Sequence, residues 1–197
     1  PCSHHGRTPP CVSRIVESGV KRVVTGVTDP DPHVSGTGID ALKAAGVEVV
    51  EGVKESQVRN QLEAYMHHRT TGKPWVVLKM AMTIDGRTAA ADGSSEWITS
   101  REARQDVHAL RARCDSVMVG AGTIRSDDPS LTTRFVSGSD PRRIVLGKAP
   151  EGALVHPCWE LNGDLVDVLV ELGSRGVVDL LVEGGATLAA SMHQQGL

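Results

Sequence analysis

The chain has 197 residues, 40% hydrophobic and 23% charged, with a formal net charge of −3. That balance suits a soluble globular protein of one large or two small domains. It leaves no basic footprint for nucleic acid and none for an anionic membrane surface. No apolar run approaches the roughly 18 residues a membrane span needs, and no charged-then-apolar leader is visible.

In chain order, Val12 to Ser18 reads as a short helix ended by Gly19, and KRVVTGV (21–27) as a buried strand. DPDPHVSGTG (29–38) is loop, Ile39 to Ala45 fits a helix stopped by Gly46, and VEVVEGV (47–53) fits a second strand. Residues 54–72 read as one longer polar helix with Val58, Leu62 and Tyr65 at helical spacing. TGKP (71–74) marks a boundary, which gives an expected division into residues 1–72 and 73–197.

Beyond it, WVVLKMAM (75–82) is a strong strand followed by a turn at Asp85–Gly86. ITSREARQDVHALRARC (98–114) is the clearest helix. Thr99 and Glu102 form a capping-box pattern, and Ala103, Val107, Leu110 and Cys114 share a face. SVMVG (116–120), RRIVLG (142–147) and VVDLLVEGG (177–185) read as strands, the last running into a helix at 186–195. The stretch 135–165 carries no assignable motif. Alternating strands and helices predict an α/β fold with a mostly parallel sheet. A closing helix is normally followed by another strand, so the chain reads as cut at both ends.

Cys2, Cys11, Cys114 and Cys158 do not make a disulfide framework, and a reducing, cytoplasmic compartment is expected. Cys2 and Cys11 lie in one short loop, PCSHHGRTPPC, where two thiolates can share a Zn²⁺. Cys11 also precedes a helix, whose N–H groups favour a thiolate. Two cysteines do not close a tetrahedral site. His4 and His5 are nearby, but neighbouring ligands crowd poorly, and surface histidines in a polar loop are the plainer reading.

No G-x-G-x-x-G follows a strand, which disfavours a standard dinucleotide fold. Two other glycine-rich strand-to-helix joints occur, VGAGT (119–123) and EGGAT (183–187). Each reads alone as an ordinary tight turn. As a pair in one sheet they suggest a pyrophosphate cradle. Arg104 and Arg111, seven apart, share a helix face, and Arg134 follows a Thr pair in a loop. Such residues either fork a phosphate or form a solvated, salt-bridged face. Trp97 in a Gly/Ser loop either covers a cofactor ring or anchors the loop. Lys79 is either a substrate contact or a strand-edge lysine.

The pattern P-C, loop, P-C before a helix resembles the second half of the zinc-deaminase signature, whose first half is H-x-E. In full, PCSHHGRTPPC closely resembles the deaminase half of the bifunctional riboflavin-biosynthesis deaminase–reductases. LKMAMTIDGRTAAADGSSEWIT (78–99), LRARCDSVMVGAGTIRSDDPSLTTR (110–134) and LLVEGGATLAASMHQQGL (180–197) resemble the reductase half, in the right order.

The resemblance implies the C-terminal part of a cytidine-deaminase-like zinc domain followed by most of a dihydrofolate-reductase-like domain. It implies Zn²⁺ at Cys2 and Cys11, NADPH in the second half, a phosphorylated pyrimidine substrate, and a homo-oligomer for the full-length protein. It carries substrate contacts onto Ser95, Arg111, Leu131, Arg134 and Glu183. Cofactor contacts fall on Ala81, Trp97, Thr123, Asp127, Gly185, Ala186, Thr187, Leu188, Ala189, Ala190 and Ser191. Lys79 and Asp127 are the candidates for proton donation.

The family's activities are zinc-dependent deamination of a diaminopyrimidinone ribosyl phosphate, then reduction of its ribosyl chain to ribityl. No H-x-E occurs in this sequence, so deamination is not expected of it. Reading the chain as cut also leads to an expectation of marginal stability, weak zinc retention and a tendency to associate. The competing reading is a non-enzymatic α/β module that holds a phosphorylated ligand, with the two cysteines as a structural metal clip.

Overall fold

The computed structural model describes residues 2–3, 9–91 and 97–197. The chain divides into two compact units, Pro1–Gly72 and Lys73–Leu197.

In the first unit, α1 (Cys11–Glu17) leads to β1 (Arg22–Val24), and α2 (Thr37–Ala44) leads to β2 (Glu48–Val50). The two strands pair in parallel, Val23 opposite Val49. Ile39 and Leu42 of α2 are buried, and Leu42 is the better sealed of the two. Residues 54–72 form two helices, α3 (Glu55–Gln61) and α4 (Glu63–Thr71), rather than the single one expected. Leu62 between them leaves helical dihedrals, at φ −104 and ψ 15. The break lets Leu62, Tyr65 and Met66 line a small cavity with Ile39. Gly26 has no room for a side chain, because an added Cβ would sit 2.4 Å from Val58 Cγ2. The end of β1 therefore lies directly against α3.

The second unit runs β3 (Trp75–Leu78), α5 (Arg101–Arg113), β4 (Ser116–Gly120), α6 (Ala121–Asp127), β5 (Arg142–Leu146), β6 (Trp159–Leu161), α7 (Leu165–Ser174), β7 (Asp179–Val182) and α8 (Ala186–Gln194). Its five strands form one sheet in the order β3-β7-β4-β5-β6, and every pairing is parallel. Parallel strands covered on both faces are apolar throughout, which is why these segments read as Val, Leu and Ile runs.

Alternate residues feed two cores. Met118, Ile144, Leu180 and Val182 pack with Leu169 and Leu172 of α7 and Leu188 and Met192 of α8. Val117, Val119, Val145 and Leu181 pack on the other face with Ile124 of α6 and Leu110 of α5. Each such side chain contributes roughly 1.5–3 kcal/mol by leaving water. Asp115 ties two neighbouring strands at their start, its carboxylate accepting from the N–H groups of Val178 and Asp179 at 2.8 and 3.1 Å.

Three expectations change in this unit. The strand expected over 75–82 ends at Leu78, because β7, its neighbour among the described residues, ends at the paired Val182. The cap of α5 is Ser100, whose hydroxyl accepts from Ala103 N–H, while the Thr99 carbonyl accepts from Arg104. Finally, β6 and α7 occupy sequence that carried no assignment. Asp164 caps α7 by accepting from Val166 N–H. Among the described residues, no helix is long and apolar enough to cross a membrane.

Cys114, at the end of α5, is buried with its Sγ 3.6 Å from Asp179 Oδ1. Burial, reinforced by that carboxylate, pushes its thiol up to about 12. At pH 8 the nucleophilic thiolate is then almost absent. Mass spectrometry after iodoacetamide at pH 8 is expected to find Cys114 unmodified in the folded chain and modified after denaturation. Rapid labelling of the native chain at Cys114 would contradict this placement.

Candidate active site

β4 and β7 are neighbours, yet they send their following helices to opposite faces of the sheet: α6 packs with the Leu181 core and α8 with the Leu180 core. Such a switch leaves a crevice beyond the carboxyl ends of the strands, the general place for ligands in open parallel sheets. A cleft of about 1330 Å³ opens there.

Its charged centre is Glu183, the first residue past β7. The Glu183 side chain is 8% exposed and Arg111, reaching from α5, is 10% exposed. Arg111 donates to both carboxylate oxygens, Nε at 2.6 Å and Nη2 at 2.9 Å, and its Nη1 donates to the Thr132 carbonyl at 3.1 Å. This fork-to-carboxylate pairing fixes both side chains. Lys79, the first residue past β3, brings Nζ to 3.6 Å from Glu183 Oε2. One buried carboxylate thus faces two cations, and Lys79 also lines the cleft.

His108 lies one turn before Arg111 on α5 and is buried. Its Nδ1 accepts from Arg134 N–H at 3.0 Å, and its ring meets Phe135 edge-on at 4.6 Å. Burial first, then the Arg111 and Arg134 charges, holds its pKa below the usual histidine range, so the ring is neutral at pH 7. Arg134 itself is exposed and is steadied by the hydroxyls of Ser130 and Thr132. Between them Leu131 is 2% exposed and sits at φ 53, a left-handed conformation that costs a non-glycine residue energy and concentrates at ligand clamps. Arg104 stacks on Trp97, 4.2 Å from the ring centroid.

The two glycine joints end the adjacent strands. A Cβ added at Gly120 or Gly122 would meet nothing within 4 Å, and one at Gly185 only Thr123 Oγ1 at 3.7 Å. Backbone is therefore open to the cleft at both joints. Gly184 differs, because a Cβ there would press on Leu188 at 2.9 Å, so it lets α8 pack closely behind the joint.

Lys79, Ala81, Trp97, Arg111, Thr123, Asp127, Leu131, Arg134, Glu183, Gly185, Ala186, Thr187, Leu188 and Ser191 all line this cleft. Ser95 lies outside the described residues, as do His4 and His5. Ala189 and Ala190 do not line the cleft. Both are on α8, where Leu188 and Ser191, with Gln195 just past the helix, hold the cleft-facing stripe and Ala189 is turned into the core. The sequence reading missed His108. Its signal was present, since Arg104, His108 and Arg111 recur at i, i+4 and i+7 beside the apolar stripe.

In the first unit, Cys2 and Cys11 are free thiols with their sulfurs 3.5 Å apart. Two thiolates on one tetrahedral zinc, each about 2.3 Å from it, sit about 3.8 Å apart. The pair therefore fits two ligands of such a site. His156, Cys158 and Glu160 also lie together, on the second unit and away from this loop in sequence.

Comparison with known proteins fits this arrangement. Residues 74–197 match the family described as the RibD C-terminal domain. The chain belongs to the RibD family. Riboflavin biosynthesis protein RibD of Mycobacterium tuberculosis is 42% identical over 100% of the chain, and that of Aquifex aeolicus 47% identical over 93%. The chain spans 60% and 54% of the lengths of these two relatives. Among solved structures, Acinetobacter baumannii RibD superposes with a TM-score of 0.92 at 36% identity, covering 100% of this chain and 64% of that one. A Thermotoga maritima diaminohydroxyphosphoribosylaminopyrimidine deaminase/5-amino-6-(5-phosphoribosylamino)uracil reductase superposes at 0.87 with 36% identity, covering 99% and 62%. The parallel sheet of the second unit is thus that of the RibD C-terminal domain.

Proposed function

We propose that the second unit of this RibD-family chain reduces the ribosyl chain of a phosphorylated aminopyrimidine to a ribityl chain, with NADPH, as a step of riboflavin biosynthesis. One observation supports this above the others. At the β4/β7 switch point, open glycine backbone lies beside a buried Glu183 held between Arg111 and Lys79.

The glycine joints suit the cofactor. Gly120, Gly122 and Gly185 leave room for a pyrophosphate to approach the backbone, and the free N–H groups that begin α8 favour its charge. NADPH, when bound, supplies the hydride. The chain's own residues supply position and charge. Arg111, locked by Glu183, and Arg134, exposed and anchored by two hydroxyls, are the cations suited to the substrate's phosphate and hydroxyls. Neutral His108 holds the Arg134 backbone through its Nδ1. Lys79 Nζ, 3.6 Å from Glu183 Oε2, is a candidate proton source beside the Arg111–Glu183 pair. Trp97, stacked on Arg104, offers an apolar face to a ring.

Cys2 and Cys11 are assigned to a deaminase-type zinc site of the first unit, in which they supply two thiolates. The His and Glu of the H-x-E motif do not occur in this sequence, so deamination is not assigned to it. A cytoplasmic location and a homo-oligomeric full-length protein belong to the same reading.

The test is NADPH oxidation by this chain with 5-amino-6-(5-phosphoribosylamino)uracil, followed by absorbance. Substrate-dependent oxidation is expected. Trp97→Ala should lower kcat/KM by about 2- to 10-fold, the worth of one aromatic contact of ~0.5–1.5 kcal/mol. Oxidation that ignores the pyrimidine, or that is indifferent to Glu183→Gln, would count against the assignment.

A further inference from the structure

We infer that His156, Cys158 and Glu160 form a zinc-binding clip on the outer edge of the second unit's sheet, separate from the cleft. Among the described residues β6 is an edge strand, paired with β5 alone. His156 and Cys158 lie in the segment that leads into β6 (Trp159–Leu161), and Glu160 lies within the strand. One ligand atom from each of the three lies within 4.8 Å of the others.

The inner distances suit a tetrahedral ion. Cys158 Sγ is 3.6 Å from His156 Nδ1. A zinc bonded at about 2.3 Å to sulfur and about 2.0 Å to nitrogen separates those two atoms by about 3.5 Å. The supporting contacts are also those of a metal site. His156 Nε2 is 3.1 Å from the Pro150 carbonyl, which can only accept. The proton therefore sits on Nε2, and Nδ1 presents its lone pair toward Cys158. A ligating histidine that gives its other N–H to a carbonyl is the usual outer arrangement of zinc sites. Glu160 is likewise held, one oxygen accepting from Ala149 N–H at 2.9 Å. The Pro150 and Ala149 contacts come from the loop that a bound ion would tie to the strand.

Charge balances. Zn²⁺ with one thiolate, one carboxylate and one neutral imidazole is neutral, and a water completes the fourth position. Binding displaces the Cys158 thiol proton to solvent, one proton for each ion. Thiolate and imidazole ligands select zinc over magnesium or calcium.

The test uses cobalt(II) as an optical stand-in for zinc. In the full chain carrying Cys2→Ser and Cys11→Ser, one equivalent of Co²⁺ is expected to bind with a thiolate-to-cobalt charge-transfer band, and Zn²⁺ should bleach it. One proton should be released per ion. Adding Cys158→Ser should abolish the band, and His156→Ala or Glu160→Gln should weaken binding at least ~10-fold. In the chain with its native Cys2 and Cys11, Cys158→Ser should lower bound zinc by one equivalent, a readout independent of the double variant's folding. Absence of the band from the folded double variant, a band that survives Cys158→Ser, or unchanged zinc content in the single variant would each overturn the assignment.

Discussion

Replacing Glu183 with alanine is expected to cost about 3–5 kcal/mol of stability and to remove reductase activity. The carboxylate is 8% exposed and is the shared partner of Arg111 and Lys79. Its loss leaves the Arg111 guanidinium, itself 10% exposed, as a buried charge without an anion. Unfolding by urea measures the first effect and NADPH oxidation the second. Two further variants separate them. Glu183→Gln keeps the shape and an acceptor for Arg111, so it should recover part of the stability but not the activity. Replacing both partners, Arg111→Met with Glu183→Leu, removes the stranded charge and should also recover stability, because apolar pairs of similar volume can equal buried ion pairs. Wild-type stability in Glu183→Ala would mean that water reaches the pair freely.

Gly122→Val is the complementary variant, one aimed at the ligand and not at the fold. The added side chain meets no protein atom within 4 Å of its Cβ, and the position lines the cleft. Stability should stay within about 0.5 kcal/mol, since glycine is the poorer helix residue and nothing is crowded. KM for NADPH should rise by at least ~10-fold, because an isopropyl group then occupies space into which a pyrophosphate must fit. An unchanged KM would place the cofactor elsewhere in the cleft. A large loss of stability would show that the joint is packed.

The strands of the second unit were legible because both faces of a parallel sheet are buried, and that demand writes continuous apolar runs such as SVMVG and DLLV. Where burial is one-sided or local, the reading slipped. WVVLKMAM looks like one strand, but hydrogen bonding needs a partner, and β7 stops opposite Leu78. Residues 54–72 carry helical spacing throughout, yet the chain breaks at Leu62, which lines a cavity with Ile39. Helix α7 was missed although it is the most apolar of the helices by its buried set, Leu165, Val168, Leu169, Leu172 and Gly173. Its outward positions include Asp167 and Ser174, but an exposed Val170 among them blurs the polar side.

Local chemistry was written in the sequence: the two thiols of the PCSHHGRTPPC loop, the paired glycine joints, and the alternation of elements that makes an α/β sheet. Those features need only residue type and short spacing. What the tertiary structure alone decided is which of them meet. Arg111 and Glu183 are far apart in the chain, and each by itself reads as a solvated charge. They become one buried pair because β7 inserts beside β4, bringing the end of one strand under the helix that precedes the other. His108 acquires its neutral state from the same packing, and His156, Cys158 and Glu160 become a ligand set only where the chain folds into β6. Burial and charge are properties of neighbours, and sequence separation does not record which neighbours folding supplies.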